Sequence, residues 1–106
     1  MSSEQGLFEV NGVFYTLKYN IQKIKTIELV TKTSIIGEVT KNNGMMPYAT
    51  LEALFSLALV DVKTNEPIKQ SKAIEMFENV VRENGLVSVN MAIVEKIEED
   101  LGFMFR

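Results

Sequence analysis

The 106-residue chain contains no histidine, no cysteine and no tryptophan. Histidine and cysteine build most nucleophile–base pairs and structural zinc sites. Their absence removes those chemistries and leaves carboxylates, lysines and hydroxyls. No disulfide framework can form either. Proline occurs twice and glycine six times, too seldom for a low-complexity or linker-like chain. No apolar run approaches the roughly 20 residues that span a bilayer. The most apolar stretch, residues 49–60, carries Thr50, Glu52 and Ser56, and predicts a buried helix of a soluble fold. Residues 1–6 show neither the cationic nor the apolar part of a leader. The net charge of −3 gives no basic footprint for nucleic acid or anionic lipid.

What is abundant is apolar surface, at 46% of residues. The length suits one domain, residues 1–106, with a single core. The clearest local signal lies in residues 7–19. Two β-rich runs flank Asn11-Gly12, the pair that a type I′ turn requires. A two-residue turn fixes the register: Val10 opposite Val13, Glu9 opposite Phe14, Phe8 opposite Tyr15, Leu7 opposite Thr16. One face then carries Phe8, Val10, Val13, Tyr15 and Leu17, all apolar, and must pack on helices. The other carries Leu7, Glu9, Phe14, Thr16 and Lys18.

The remainder, residues 20–106, reads as mainly helical. Asn20 predicts an N-cap for a helix to about Lys32, with Ile21, Ile24 and Ile27 on its apolar spacing. Residues 33–47 read as a flexible loop, with residues 34–39 open to a third short strand. An all-round apolar helix is expected over residues 48–61. Another follows from a Ser71 cap to Asn84, with Ile74, Phe77, Val80 and Val81 on one face, and Gly85 in a left-handed position. The last helix is expected from a Ser88 cap to Asp100, with Ala92, Ile93, Ile97 and Leu101 inward. The fold class is therefore α+β: an N-terminal β-hairpin, with the third strand open, packed on about four helices.

No residue is assigned a catalytic, metal-binding or cofactor-binding role. Glu95, Glu98, Glu99 and Asp100 cluster near a helix end, but without calcium-loop spacing, and read as a solvated face. Three sets of apolar residues resist assignment to the core. Leu7 and Phe14 fall on the hairpin face away from it. Met45 and Met46 stand in a polar, glycine-containing loop. Phe103, Met104 and Phe105 follow the last helix. Methionine suits adaptable binding surfaces, and exposed apolar patches mark interaction sites. These seven residues are the candidate partner-binding set.

The order of elements resembles a known family. The hairpin Val10-Asn11-Gly12-Val13-Phe14-Tyr15-Thr16-Leu17-Lys18-Tyr19 is followed by a lysine-rich helix and a loop. Then come the apolar helix 51–60 and two helices broken at Asn84-Gly85-Leu86. This pattern is similar, over nearly the whole chain, to the tail assembly chaperones of long-tailed phages and prophages of Gram-positive bacteria. The resemblance implies a non-enzymatic factor in the bacterial host cytoplasm, absent from the mature virion. Its partners would be the tape measure protein and the tail tube protein, with homo-oligomers allowed and no membrane role. A longer, frameshifted form occurs in that family; this chain would be the short form. Two other readings remain open. One is a small prophage regulatory or nucleic-acid-associated protein, using Lys18, Lys23, Lys25 and Lys32 beside Tyr15 and Tyr19. The other is a structural tail or head-completion subunit.

Overall fold

The computed structural model describes residues 8–106. Strands β1 (Phe8–Val10) and β2 (Val13–Leu17) form the hairpin. Its pairs are Phe8 with Tyr15, Glu9 with Phe14, and Val10 with Val13, as the turn length dictates. Asn11 and Gly12 have φ of 52° and 83°, the positive values that a type I′ turn demands. Phe8, Val10 and Val13 pack against the core, and Tyr15 and Leu17 are buried in it.

Helix α1 (Ile21–Thr31) starts where Asn20 accepts the Lys23 N–H at 2.7 Å. It ends at Lys32, which adopts a left-handed conformation. Ile24 and Ile27 are buried, whereas Ile21 and Val30 are exposed.

Residues 33–47 are neither a plain loop nor a strand. Helix α2 (Ile35–Thr40) occupies their first half. Two anchors specify it. The Ser34 hydroxyl accepts the Gly37 N–H at 3.0 Å. The Glu28 carboxylate, from α1, accepts the Ile35 N–H at 2.8 Å. The anchors satisfy N–H groups that a helix start leaves without intrahelical partners. A 3-10 turn over Asn42–Gly44 follows.

Helix α3 (Tyr48–Ser56) is shorter than its apolar run suggests. Leu57 closes it, and strand β3 (Leu59–Asp61) pairs antiparallel with β2. The third strand therefore exists, but at residues 59–61 rather than 34–39. The sheet order is β1-β2-β3. Beyond β3 the chain turns back. Glu66 accepts the Asp61 N–H, the Ile68 N–H bonds to Leu59, and Val60 bridges to Pro67.

Helix α4 (Gln70–Asn84) begins one residue before the expected Ser71 cap. Gly85 alone connects it to α5 (Leu86–Leu101), so Ser88 lies inside the first turn rather than capping it. Gly85 has φ 86° and ψ 148°, a conformation that is essentially restricted to glycine. A second 3-10 turn covers Gly102–Phe105. The described residues thus hold five α-helices against a three-stranded sheet, an α+β fold. A run of aromatic rings crosses the core. Phe8 stacks on Phe55 at 5.6 Å, Phe55 meets Phe77 at 5.3 Å, and Phe77 meets Tyr48 at 5.2 Å. Leu54, Ile93 and Ile97 are fully buried around that line. Among the described residues no helix is long and apolar enough to cross a membrane.

Candidate functional site

The site begins with a turn that sends two adjacent methionines in opposite directions. Asn43 and Gly44 both have positive φ, 57° and 83°. After this sharp reversal Met45 is 38% exposed, whereas Met46 is 5% exposed and belongs to the core. Met46 is therefore withdrawn from the candidate binding set. Its side chain is part of the packing, as a strand-like alternation of sides at residues 45 and 46 would give.

Asn90 of α5 holds this turn in place. Its amide Nδ2 donates to the Gly44 carbonyl at 2.7 Å, and its Oδ1 accepts the Met46 N–H at 3.0 Å. The side chain is 2% exposed. A buried amide with both ends satisfied specifies one backbone geometry. Met45 is the residue between the two bonds, so its placement follows from them.

Val87, Met91 and Val94 recur at i, i+4 and i+7 on α5, which puts them in one stripe. With Met45 they line an open groove of about 420 Å³ whose floor includes Gly44 and Asn90. Val87 and Met91 are each more than half exposed. This apolar stripe is stable on the surface because α5 buries a different one, formed by Val89, Ile93, Ile97 and Leu101. Sequence reasoning found Met45 but missed Val87, Met91 and Val94. Their heptad-like spacing was visible, but it lies beside the more strongly apolar inward stripe.

The other candidates are scattered. Phe14 is 48% exposed and lines a separate depression with Val13, Val62 and Lys63. Phe103 is about as exposed and lies with Ile21 near Asn20 and Leu101. Met104 and Phe105 are half-buried and pack on the core, so the 3-10 turn presents only Phe103 of the three. Leu7 lies outside the described residues. The seven residues therefore do not form one patch. Leu29, the most exposed large apolar side chain among the described residues, stands on the outer face of α1.

The charged residues also sort differently than expected. Glu95, Glu98 and Glu99 are exposed, but Asp100 is half-buried. Asp100 accepts the Tyr19 N–H at 2.9 Å and pairs with Lys96 at 3.1 Å. It fastens the start of α1 to the end of α5 and is not part of a free acidic face. Tyr19 itself is buried, and its hydroxyl donates to the Leu54 carbonyl at 2.7 Å. Burial, with the nearby Asp100 carboxylate as a second cause, holds the phenol well above its ordinary titration range. No group of three or more acidic side chains among the described residues is arranged to hold a metal ion.

The lysine stretch does not assemble into a basic face with aromatic stacking. Lys18 donates to Asn65 across the sheet. Lys23 and Lys25 are two residues apart, hence on opposite flanks of α1, roughly 160° around its axis. Tyr15 and Tyr19 are both buried, so neither offers a ring for a base to stack on. No protein-family model matches the chain, and neither a curated protein nor a solved structure matches it.

Proposed function

We propose that this chain is a non-enzymatic holding protein, a tail assembly chaperone that covers apolar helical stretches of a tape measure protein during tail assembly. The observation that carries this reading is the groove of Met45, Val87, Met91 and Val94. A helix stripe flanked by a methionine-bearing turn is a receptor for a second amphipathic helix. Methionine lets one surface fit many sequences. The element order that resembles the chaperone family supplies the identity of the partner, and the work would take place in the bacterial cytoplasm.

The magnitudes favour weak, repeated contacts. Fully burying a Val or Met side chain is worth about 1.5–3 kcal/mol. Three half-exposed residues then contribute roughly 3–4 kcal/mol in all. The client's own apolar stripe adds a comparable amount, and association costs at least about 4 kcal/mol in lost freedom. One copy therefore holds its client loosely, and a long client needs many copies. Loose contact also permits release as tube subunits replace the chaperone.

The test is light scattering by an aggregating tape measure fragment, with increasing amounts of this protein. The native chain should suppress scattering. Met45→Ser and Met91→Ser should fold normally by circular dichroism and suppress it several-fold less well, and Phe14→Ser should show whether the sheet face contributes. Met46→Ser, which removes a core side chain, should instead lower stability by about 2–5 kcal/mol. Full suppression by Met45→Ser and Met91→Ser would remove the groove from this reading.

A further inference from the structure

The charges around the groove say more about what it receives. Glu95 is the charged residue among the described ones that line it. Glu98 follows Val94 by one turn, on the same side of α5 as Val87, Met91 and Val94. The one lysine of α5, Lys96, is already engaged, at 3.7 Å from Glu99 and 3.1 Å from Asp100. Those are the two ion pairs among the described residues, so Glu95 and Glu98 have no cationic partner there. The apolar groove thus has a negative lip along its C-terminal half, and its apolar floor is uncharged.

We propose that the groove takes an amphipathic helix whose apolar stripe is flanked by lysine or arginine, and that it discriminates against acidic helices. This rests on the reading of the groove as the binding face, and adds the chemical class of the segment bound. Apolar contact with Val87, Met91 and Met45 supplies the attraction. Glu95 and Glu98 set which helices are accepted and in which direction they lie, because like charges facing one another are penalised. A helix with its basic flank toward the C-terminal half of α5 is favoured, and the reversed or acid-flanked helix is not. The lip is exposed, so its effect is modest and screened by salt.

The probes are two synthetic helical peptides with the same leucine stripe at i, i+3, i+4 and i+7. One carries lysine on its flanks, the other glutamate. Affinities are measured by fluorescence anisotropy with the full chain at about 0.05 M and 0.5 M salt, conditions that change the screening length from roughly 14 Å to 4 Å. The lysine peptide should bind roughly fivefold more tightly at low salt, a preference of the size that two exposed charge pairs give. That ratio should fall toward one at high salt, and below one in Glu95→Lys/Glu98→Lys, where the reversed lip favours the glutamate peptide. Met91→Ser should weaken both peptides alike. Equal binding of the two peptides at low salt, with both weakened by Met91→Ser, would overturn the charge selection and leave the groove as the binding face. A preference that survives Glu95→Lys/Glu98→Lys would place its origin elsewhere and overturn the proposal. Absence of binding by either peptide, or binding unaffected by Met91→Ser, would overturn the groove reading itself and the selection with it.

Discussion

Truncating Asn90 to alanine should loosen the groove and lower stability together, because one side chain does both tasks. The amide spans two backbone groups, the Gly44 carbonyl at 2.7 Å and the Met46 N–H at 3.0 Å. In Asn90→Ala both groups lose their partner in a region where Gly44 and Met46 are buried. Each such loss costs about 1–3 kcal/mol. The groove is open on one side, so water relieves part of this, and a total of about 3 kcal/mol is expected. For a domain of this size that is a large share of the typical 5–15 kcal/mol, and corresponds to a fall in Tm of about 12–18 °C. Urea denaturation at neutral pH measures the first effect. Binding of a basic amphipathic peptide, at a temperature where the variant is still folded, measures the second, and a loss of at least fivefold is expected as Met45 leaves its position. Asn90→Asp sharpens the test. It keeps the acceptor for Met46 but faces Gly44 with a carboxylate, so burial raises its pKa. The protonated acid can donate, so this variant should approach native stability at low pH and fall away as pH rises through the raised pKa. A cost below about 0.5 kcal/mol for Asn90→Ala, or unchanged peptide affinity in a clearly destabilised variant, would refute the link between the amide clamp and the groove.

Two further expectations concern the frame around the site. Gly85→Ala should destabilise by about 1–3 kcal/mol in thermal or urea unfolding, wholly from backbone strain, since nothing lies within 4 Å of the added methyl group; no loss would mean that the α4–α5 connection can relax. Tyr19 should make the fold sensitive to alkali. Its phenol pKa is raised in the folded state, so the stabilisation is complete below the unfolded value near 10 and is lost as pH rises from there through the folded value. The slope over that window is about 1.4 kcal/mol per pH unit. Tyr19→Phe should cost about 1 kcal/mol at pH 7 through the lost bond to Leu54, yet lack this alkaline slope. Parallel stability curves for the two proteins above pH 10 would contradict the assignment.

The hairpin was legible because its information is local. Asn11-Gly12 fixes the turn, the turn fixes the register, and the register assigns the inward face of Phe8, Val10, Val13, Tyr15 and Leu17. Helix α1 was legible for the same reason, since Asn20 caps it within three residues. The errors lie where distant partners decide. Residues 57–61 continue an apolar run that fits a buried helix or a buried strand equally well. What selects the strand is the unpaired side of β2, which accepts Leu59 opposite Leu17 and Asp61 opposite Tyr15. Helix α2 depends partly on Glu28, seven residues upstream, capping Ile35. In the candidate site, Met45 was found by composition, as an apolar residue among polar ones. Met46 was indistinguishable from it until Asn90, 44 positions away, fixed which of the two faces outward. Val87 and Met91 were hidden because two apolar stripes share α5, and spacing alone does not say which one the core takes.

The return of the chain from β3 to Pro67 has a consequence for how the sheet meets other chains. An open sheet edge is a template on which any extended segment can add a strand and start aggregation. Residues 66–68 occupy the β3 edge, and proline, lacking an N–H, cannot extend a ladder outward. At the other edge the described part of β1 is three residues long. Val10 and Val13 flank the two-residue turn and bond to each other, so only Glu9 directs its backbone outward. The Phe14 carbonyl accordingly faces β3, where it accepts the Val62 N–H at 3.0 Å. Among the described residues the ladder at the β1 edge thus offers one outward-facing residue, and that residue carries a charge. Among those residues an extended chain finds little sheet edge to pair with, which lowers the tendency to seed strand-by-strand aggregation.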